Sequence, residues 1–153
     1  MRAVVQRCHH ARVVVDQETV GRVGRGAVVF LGVLVGDDLA CARRLAERVA
    51  GFRFFEDERG RMGRSILDLD GREGAAGLLV VSQFTLAADG RKGRRPSFDR
   101  AAPPDAAEPL YEAFCGFLRE LGVQVETGRF RAEMTVDVSG DGPVTFVLDE
   151  PFM

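Results

Sequence analysis

The sequence predicts one α+β domain spanning residues 1–153, with many strands and two main helices. Three observations carry that expectation. Short apolar runs rich in branched residues recur along the chain, and two segments instead show helical spacing. No repeat, low-complexity tract or shift in composition divides the 153 residues, a length that suits one domain with a real core.

The elements follow in order. Ala3-Val4-Val5-Gln6 and Val13-Val14-Val15 are β-branched runs and predict two strands. Gln17 to Gly21 supplies a turn between further strand-like pieces. Ala27 to Val35 is continuous and apolar, and its length and branching favour a buried strand over a helix. Asp37 and Asp38 offer an N-cap to Leu39, Ala42, Leu45, Ala46 and Val49, which share one helical face, and Gly51 is a stop. Phe52 to Phe55 predicts a short strand, Glu56 to Arg64 an exposed loop, and Gly71 to Gly77 a flexible connection.

Leu78 to Val81 predicts a second buried strand running into Ser82-Gln83-Phe84-Thr85-Leu86, followed by a basic loop from Gly90 to Pro96. Pro103-Pro104-Asp105 opens a helix whose stripe is Leu110, Phe114, Phe117, Leu118 and Leu121, closed by Gly122. Three strands complete the chain: Val123 to Val125, Met134 to Val138, and Val144 to Leu148. Ser139 to Pro143 is the turn between the last two.

Composition narrows the function. Hydrophobic residues make up 46% of the chain, as in a globular protein. No apolar run approaches the ~20 residues of a membrane span and no signal-peptide layout is visible, so no membrane partner and a cytoplasmic location are expected. Three cysteines at wide spacings, Cys8, Cys41 and Cys115, suit neither a disulfide framework nor a zinc site. His9 and His10 are the only histidines. Any histidine-based metal site or triad must use one of them, and adjacent strand residues point to opposite faces. The net charge of −2 does not advertise nucleic-acid binding, so only local clustering counts towards it.

Three constellations carry candidate chemistry. Ser82, Gln83, Phe84 and Thr85 stand where a buried strand feeds a loop, and backbone N–H groups there run out of ladder partners. The same residues also suit an ordinary polar strand end. Gly142-Pro143 lies in a turn, where an X-Pro bond has an appreciable cis population and glycine admits a close approach. A hairpin connection without function has the same pattern. Arg91, Lys92, Arg94 and Arg95 place four positive charges within five residues, enough to contact several phosphates or simply to form a solvated loop.

Together with MRAVVQR at the start, SQFTL after the buried strand and then KGRRPSF, PLYEAF, ETGRF and DGPVT in that order, these stretches closely resemble the D-aminoacyl-tRNA deacylase family over essentially the whole chain. The resemblance implies that family's fold, mostly antiparallel barrel-like β-sheets packed with two main helices. It implies hydrolysis of the ester of D-aminoacyl-tRNA and of mischarged Gly-tRNA, without metal or cofactor. The implied partners are the aminoacylated 3′ end of tRNA and a second copy of the chain, with the active site at the subunit interface.

By the same resemblance, Ser82, Gln83, Phe84 and Thr85 line the pocket for the terminal aminoacyl-adenosine. Gly142-Pro143 is a cis dipeptide inserted from the other subunit, Arg7 braces it, and Met134 helps wall the site. Arg91, Lys92, Arg94 and Arg95 meet tRNA. Water activation has two readings, Thr85 as a nucleophile needing a base, or assistance from the tRNA 2′-OH.

The chain departs from the family at Gly63 and Gly140, where asparagine is usual or frequent, at Ala87, where tyrosine is common, and at Arg131, where a small residue is usual. Rival readings are the relative that removes L-alanine from mischarged tRNA, with a trans Gly-Pro, a non-catalytic tRNA-binding module, and a thioesterase or small-ester hydrolase.

Overall fold

The computed structural model describes residues 1–69 and 76–151. Most of the predicted connection from Gly71 to Gly77 lies outside the described residues. The architecture is a mixed α+β single domain with two helices and a nearly closed, barrel-like sheet.

Its centre is β1 (Arg2–Val15), a single 14-residue strand. This corrects the expectation of two strands. The charged stretch around Arg7, His9 and His10 interrupts the apolar pattern but not the ladder, because one long partner spans it. That partner is β8 (Thr135–Asp149), again one strand where the sequence suggested two with a turn between them. Pairing runs from Arg2↔Asp149 to Val14↔Thr135. On its other edge, β1 pairs antiparallel with β2 (Glu18–Val23) near its end and with β3 (Gly26–Gly32) near its start. The β1–β2 reversal sits at Asp16 and Gln17, both at positive φ as a two-residue type I′ hairpin turn requires, one residue earlier than expected.

Beyond β3 the sheet becomes parallel: β3 pairs with β6 (Gly77–Ser82), and β6 with β7 (Val125–Thr127). Parallel central strands are covered on both faces and read as unbroken apolar runs, which is the pattern of AVVFL and LLVV. Side chains alternate accordingly. Val29, Leu31, Leu78 and Val80 point to a large core under the helices, while Val28, Leu79 and Val81 join Cys8, Val13 and Val23 in a second core inside the curl of the sheet. The curl brings β2 against β7: a Cβ on Gly21 would lie 2.2 Å from the Thr127 carbonyl oxygen, so only glycine allows that approach.

α1 (Leu39–Gly51) is capped by Asp38, whose carboxylate accepts from the Cys41 N–H at 2.8 Å. That bond holds the Asp38 carboxyl below its ordinary pKa. Asp37 is not the cap; it accepts from the Leu34 N–H at 2.7 Å. α2 (Pro104–Glu120) starts on the predicted prolines and ends before Gly122, which has φ +92. Arg43 of α1 lies over the Phe117 ring of α2 at 4.0 Å. The Phe52 to Phe55 stretch is a strand only from Phe55, in β4 (Phe55–Glu56), which pairs with β5 (Met62–Arg64) to turn the expected loop into a small hairpin. Phe54 and Phe55 are fully buried with Phe146 beside them. Truncating Phe54 to alanine should cost about 3–5 kcal/mol.

Candidate active site

β6 ends at Ser82, and the chain turns at once into a short 3₁₀ segment, Phe84–Ala87. The turn is fixed to the central sheet, because the Gln83 N–H donates to the Leu31 carbonyl at 2.8 Å. The segment then closes on itself through Leu86 N–H to Gln83 carbonyl and Ala88 N–H to Thr85 carbonyl. The first donors of a helical turn have no partner within it. Among the described residues, the N–H groups of Phe84 and Thr85 meet no protein acceptor. The Gln83 carboxamide donates to the Thr85 hydroxyl.

Ser82, Gln83 and Phe84 open on a cavity of about 680 Å³, whose lining does not include Thr85. Ser82, Gln83 and Phe84 form one wall with Leu31 and Val33 of the neighbouring strand end. The approach to α2, Ala101 to Pro104 with Ala107 and Tyr111, forms another. The third is Phe130, Arg131, Ala132, Met134 and Val136. Met134 is set by Gly128, where a Cβ would lie 2.7 Å from its sulfur, and that sulfur accepts from the Arg129 N–H at 3.4 Å. Tyr111 donates from its hydroxyl to the Val80 carbonyl at 2.8 Å, and burial pushes its pKa well up, so it stays neutral and structural.

Sequence reasoning missed Tyr111, Phe130 and the Ala101 to Pro104 wall as pocket residues. Their signal was present, since Tyr111 is the only tyrosine and PLYEAF and ETGRF stood out as motifs, but nothing local says that residues 111 and 130 meet. Their rings lie 5.8 Å apart. Of the four departures from the family pattern, Arg131 lines the cavity, at φ +63. Ala87 is the buried last residue of the 3₁₀ segment, and Gly63 is tight against Asp57, whose carboxylate a Cβ would meet.

Gly142 and Pro143 do not line this cavity. Between Gln6↔Thr145 and Cys8↔Gly140, β1 advances two residues while β8 advances five, so Asp141 to Val144 are pushed out of the ladder as a wide bulge. The expected turn is therefore an extrusion from a strand that continues in the same direction. The Gly142–Pro143 bond is cis and Gly142 has φ +130. Arg7 anchors the bulge. It is 6% exposed, donates from Nη1 to the Phe54 carbonyl at 2.8 Å, and holds the Asp141 carboxylate at 3.1 Å from Nε. His9, at a second irregularity, stands 3.9 Å from the same carboxylate and is exposed, as is His10. Cys8 lies behind them with its thiol pushed up to about 11, first by burial and then by the charge of Asp141.

The basic loop is separate again. A bridge between Asp89 and Ser97 closes its neck. Arg91 folds back on Asp89, whose carboxyl its hydrogen bonds hold far below the usual range. Lys92, Arg94 and Arg95 are exposed and make no ion pair with a described residue. The described residues contain no cluster of three potential metal ligands and no helix long and apolar enough to cross a membrane.

The arrangement offers an apolar pocket with free backbone donors at its edge, suited to a carbonyl that gains negative charge during acyl transfer. Known proteins resemble this chain in sequence and fold. A deacylase from Symbiobacterium thermophilum, named D-aminoacyl-tRNA deacylase, is 56% identical over 149 residues, covering 97% of this chain and 95% of the relative. A solved structure titled c-Myc DNA Unwinding Element Binding Protein superposes with a TM-score of 0.89 at 36% identity, over 99% of this chain and 100% of that one. Another, titled as a probable eukaryotic D-amino acid tRNA deacylase, shares the fold with a TM-score of 0.82 at 20% identity, over 96% and 97% of the two chains. The model of the family described as D-Tyr-tRNA(Tyr) deacylase matches residues 4–149, and the chain belongs to that family.

Proposed function

We propose that this protein hydrolyses the ester bond of D-aminoacyl-tRNA, releasing free tRNA and the D-amino acid, and so acts in chiral proofreading of translation in the cytoplasm. The observation that carries the reading is the pair of unpartnered N–H groups on Phe84 and Thr85 beside the cavity. In this reading they hold the oxyanion of the attacked ester, at ~3 kcal/mol per donor. Ser82 and Gln83 position the terminal adenosine with Met134.

D and L esters carry the same groups, so selection between them must be steric, by a wall placed where the L side chain would go. Gly142 and Pro143 supply that wall to a second copy of the chain, which agrees with their lying outside their own cavity and with their exposure on a bulge held by Arg7. The working unit is thus a homodimer with each site at the interface. Glycine has no side chain to clash, so Gly-tRNA is a second substrate.

Thr85 positions and does not attack. Its hydroxyl is bonded to the Gln83 carboxamide, which has no basicity to take a proton, and this favours assistance by the 2′-OH of the tRNA. No metal or cofactor enters this chemistry. Lys92, Arg94 and Arg95 meet the phosphates of the tRNA end, and Arg91, paired with Asp89, holds the neck of their loop.

The test compares D-Tyr-tRNA, L-Tyr-tRNA and Gly-tRNA as substrates of the purified protein. Cleavage of the D and glycyl esters with L spared is the expected result. Cleavage of L-Ala-tRNA in their place would redirect the assignment to L-alanine removal. Tight tRNA binding without any cleavage would leave a binding module.

A further inference from the structure

Two phenylalanine rings stand in water at the rim of the cavity. Phe84 is 59% exposed and Phe98 37%, edge to face with centroids 5.1 Å apart. An exposed aromatic pair forgoes the stabilisation that burial would bring, so it invites a reason in binding. Phe84 is itself a lining residue of the cavity, so the pair adjoins it. Beside it, the Asp89–Ser97 bridge holds the basic loop next to Phe98. Asp89 is occupied by Arg91, which leaves Lys92, Arg94 and Arg95 without an anionic partner among the described residues. This positive cluster belongs to a chain of net charge −2, so it is local and not part of a general excess.

Flat aromatic faces beside unpaired cations are the combination that holds single-stranded nucleic acid, with bases on the rings and phosphates on the cations. An apolar peptide would use the rings but not the charges. A duplex would use the charges, but its bases are stacked on one another. We propose that Phe84 and Phe98 form a stacking platform for the base of the nucleotide preceding the terminal adenosine, with Lys92, Arg94 and Arg95 on the phosphates of that single-stranded end. The identity of the ligand rests on the deacylase reading above; the platform itself rests on the exposed rings and the unpaired cations. Recognition then extends beyond the aminoacyl-adenosine, and part of the binding energy for tRNA is collected outside the cavity.

The experiment measures kcat/KM for D-aminoacyl-tRNA and for the minimal ester D-aminoacyl-adenosine, in wild type, Phe98→Ala and Phe98→Trp. The readout is the ratio of the two values, which cancels general damage to the site. Phe98→Ala should lower that ratio about five- to a hundredfold, the range of one lost base stack, and Phe98→Trp should restore it. An unchanged ratio overturns the platform. So does a tryptophan variant no better than alanine, or a shift of Phe98→Ala to a smaller assembly in sedimentation, which would make the rings an interface between copies.

A binding measurement separates this idea from the catalytic reading. A single-stranded oligonucleotide whose CCA end carries 2-aminopurine in place of the cytosine before the terminal adenosine should lose fluorescence on the wild type and not on Phe98→Ala. That result supports the platform even if no ester is cleaved, and absence of quenching on the wild type overturns it even if esters are cleaved.

Discussion

The Ser82 to Ala87 segment and the Gly142–Pro143 bulge are both places where a strand stops pairing, yet they are held in opposite ways. The first is tied to the most buried part of the molecule. It continues β6, its backbone is bonded to Leu31, and Leu86 packs against Gly32, where a Cβ would come within 2.9 Å of the leucine side chain. The second is expelled from the outer strand β8 and is anchored by one buried arginine of β1, Arg7. The pocket segment is therefore pre-formed by the core of the chain. The bulge is solvent-exposed at Gly142 and Pro143, with its precision resting on a few polar contacts. In the proposed divided site, completion requires that a pocket of one copy meet a bulge of another.

That contrast can be broken most severely at Gly142. Its φ of +130 strains any L side chain, and a Cβ would lie 2.6 Å from the Val144 nitrogen. Gly142→Ala should lower kcat/KM on D-Tyr-tRNA on the order of a hundredfold, since a misplaced wall spoils the geometry. The melting temperature should move little, because the flanking ladder is intact; steady-state kinetics beside a thermal melt check both.

Arg7→Ala comes next. It leaves the Phe54 carbonyl and Asp141 without their donor and should cost about 2 kcal/mol in urea unfolding, with a matching loss of activity. Thr85→Ala, on the firmly held half, should reduce kcat less than about tenfold, because the hydroxyl has no base and the backbone donor remains. A loss of several hundredfold would instead make Thr85 a nucleophile.

The smallest effect is a pH dependence of the scaffold. The carboxyls of Asp149, bonded to Arg2, of Asp38, at the α1 cap, and of Asp68, bonded to Ser65, are all held below their ordinary values. A carboxyl depressed in the folded state contributes stability that is present above its unfolded pKa of about 3.9 and is lost as pH falls through the folded value. Melting temperature should be flat from neutral pH to about 5 and decline below about 4; a decline beginning at pH 6 would point to other groups.

Local signals sufficed where structure is locally determined. The helix from Leu39 ends at Gly51 as its stripe and cap imply, and the buried runs at Val28 and Leu79 became parallel strands with both faces covered. Long-range register was another matter. The charged break at Arg7, His9 and His10 reads as the end of a strand, and Ser139 to Pro143 reads as a reversal, yet each sits opposite the other in one continuous β1–β8 pair. Whether glycine and proline turn a chain round or bulge it outward depends on the partner strand, which periodicity does not give. The same limit hid Tyr111 and Phe130, which meet only because α2 and the approach to β8 converge over β6.

The most direct test of the divided site is subunit complementation. One variant, Ser82→Phe, fills the pocket and keeps its bulge; the other, Gly142→Ala, keeps its pocket and loses the bulge. Each alone should be nearly inactive on D-Tyr-tRNA. Unfolded together and refolded as an equal mixture, they should recover about a quarter of wild-type activity, since about half of randomly formed dimers are mixed and one of their two sites is intact. A mixture no more active than its components, with dimers present, would contradict the account and place pocket and wall on the same chain.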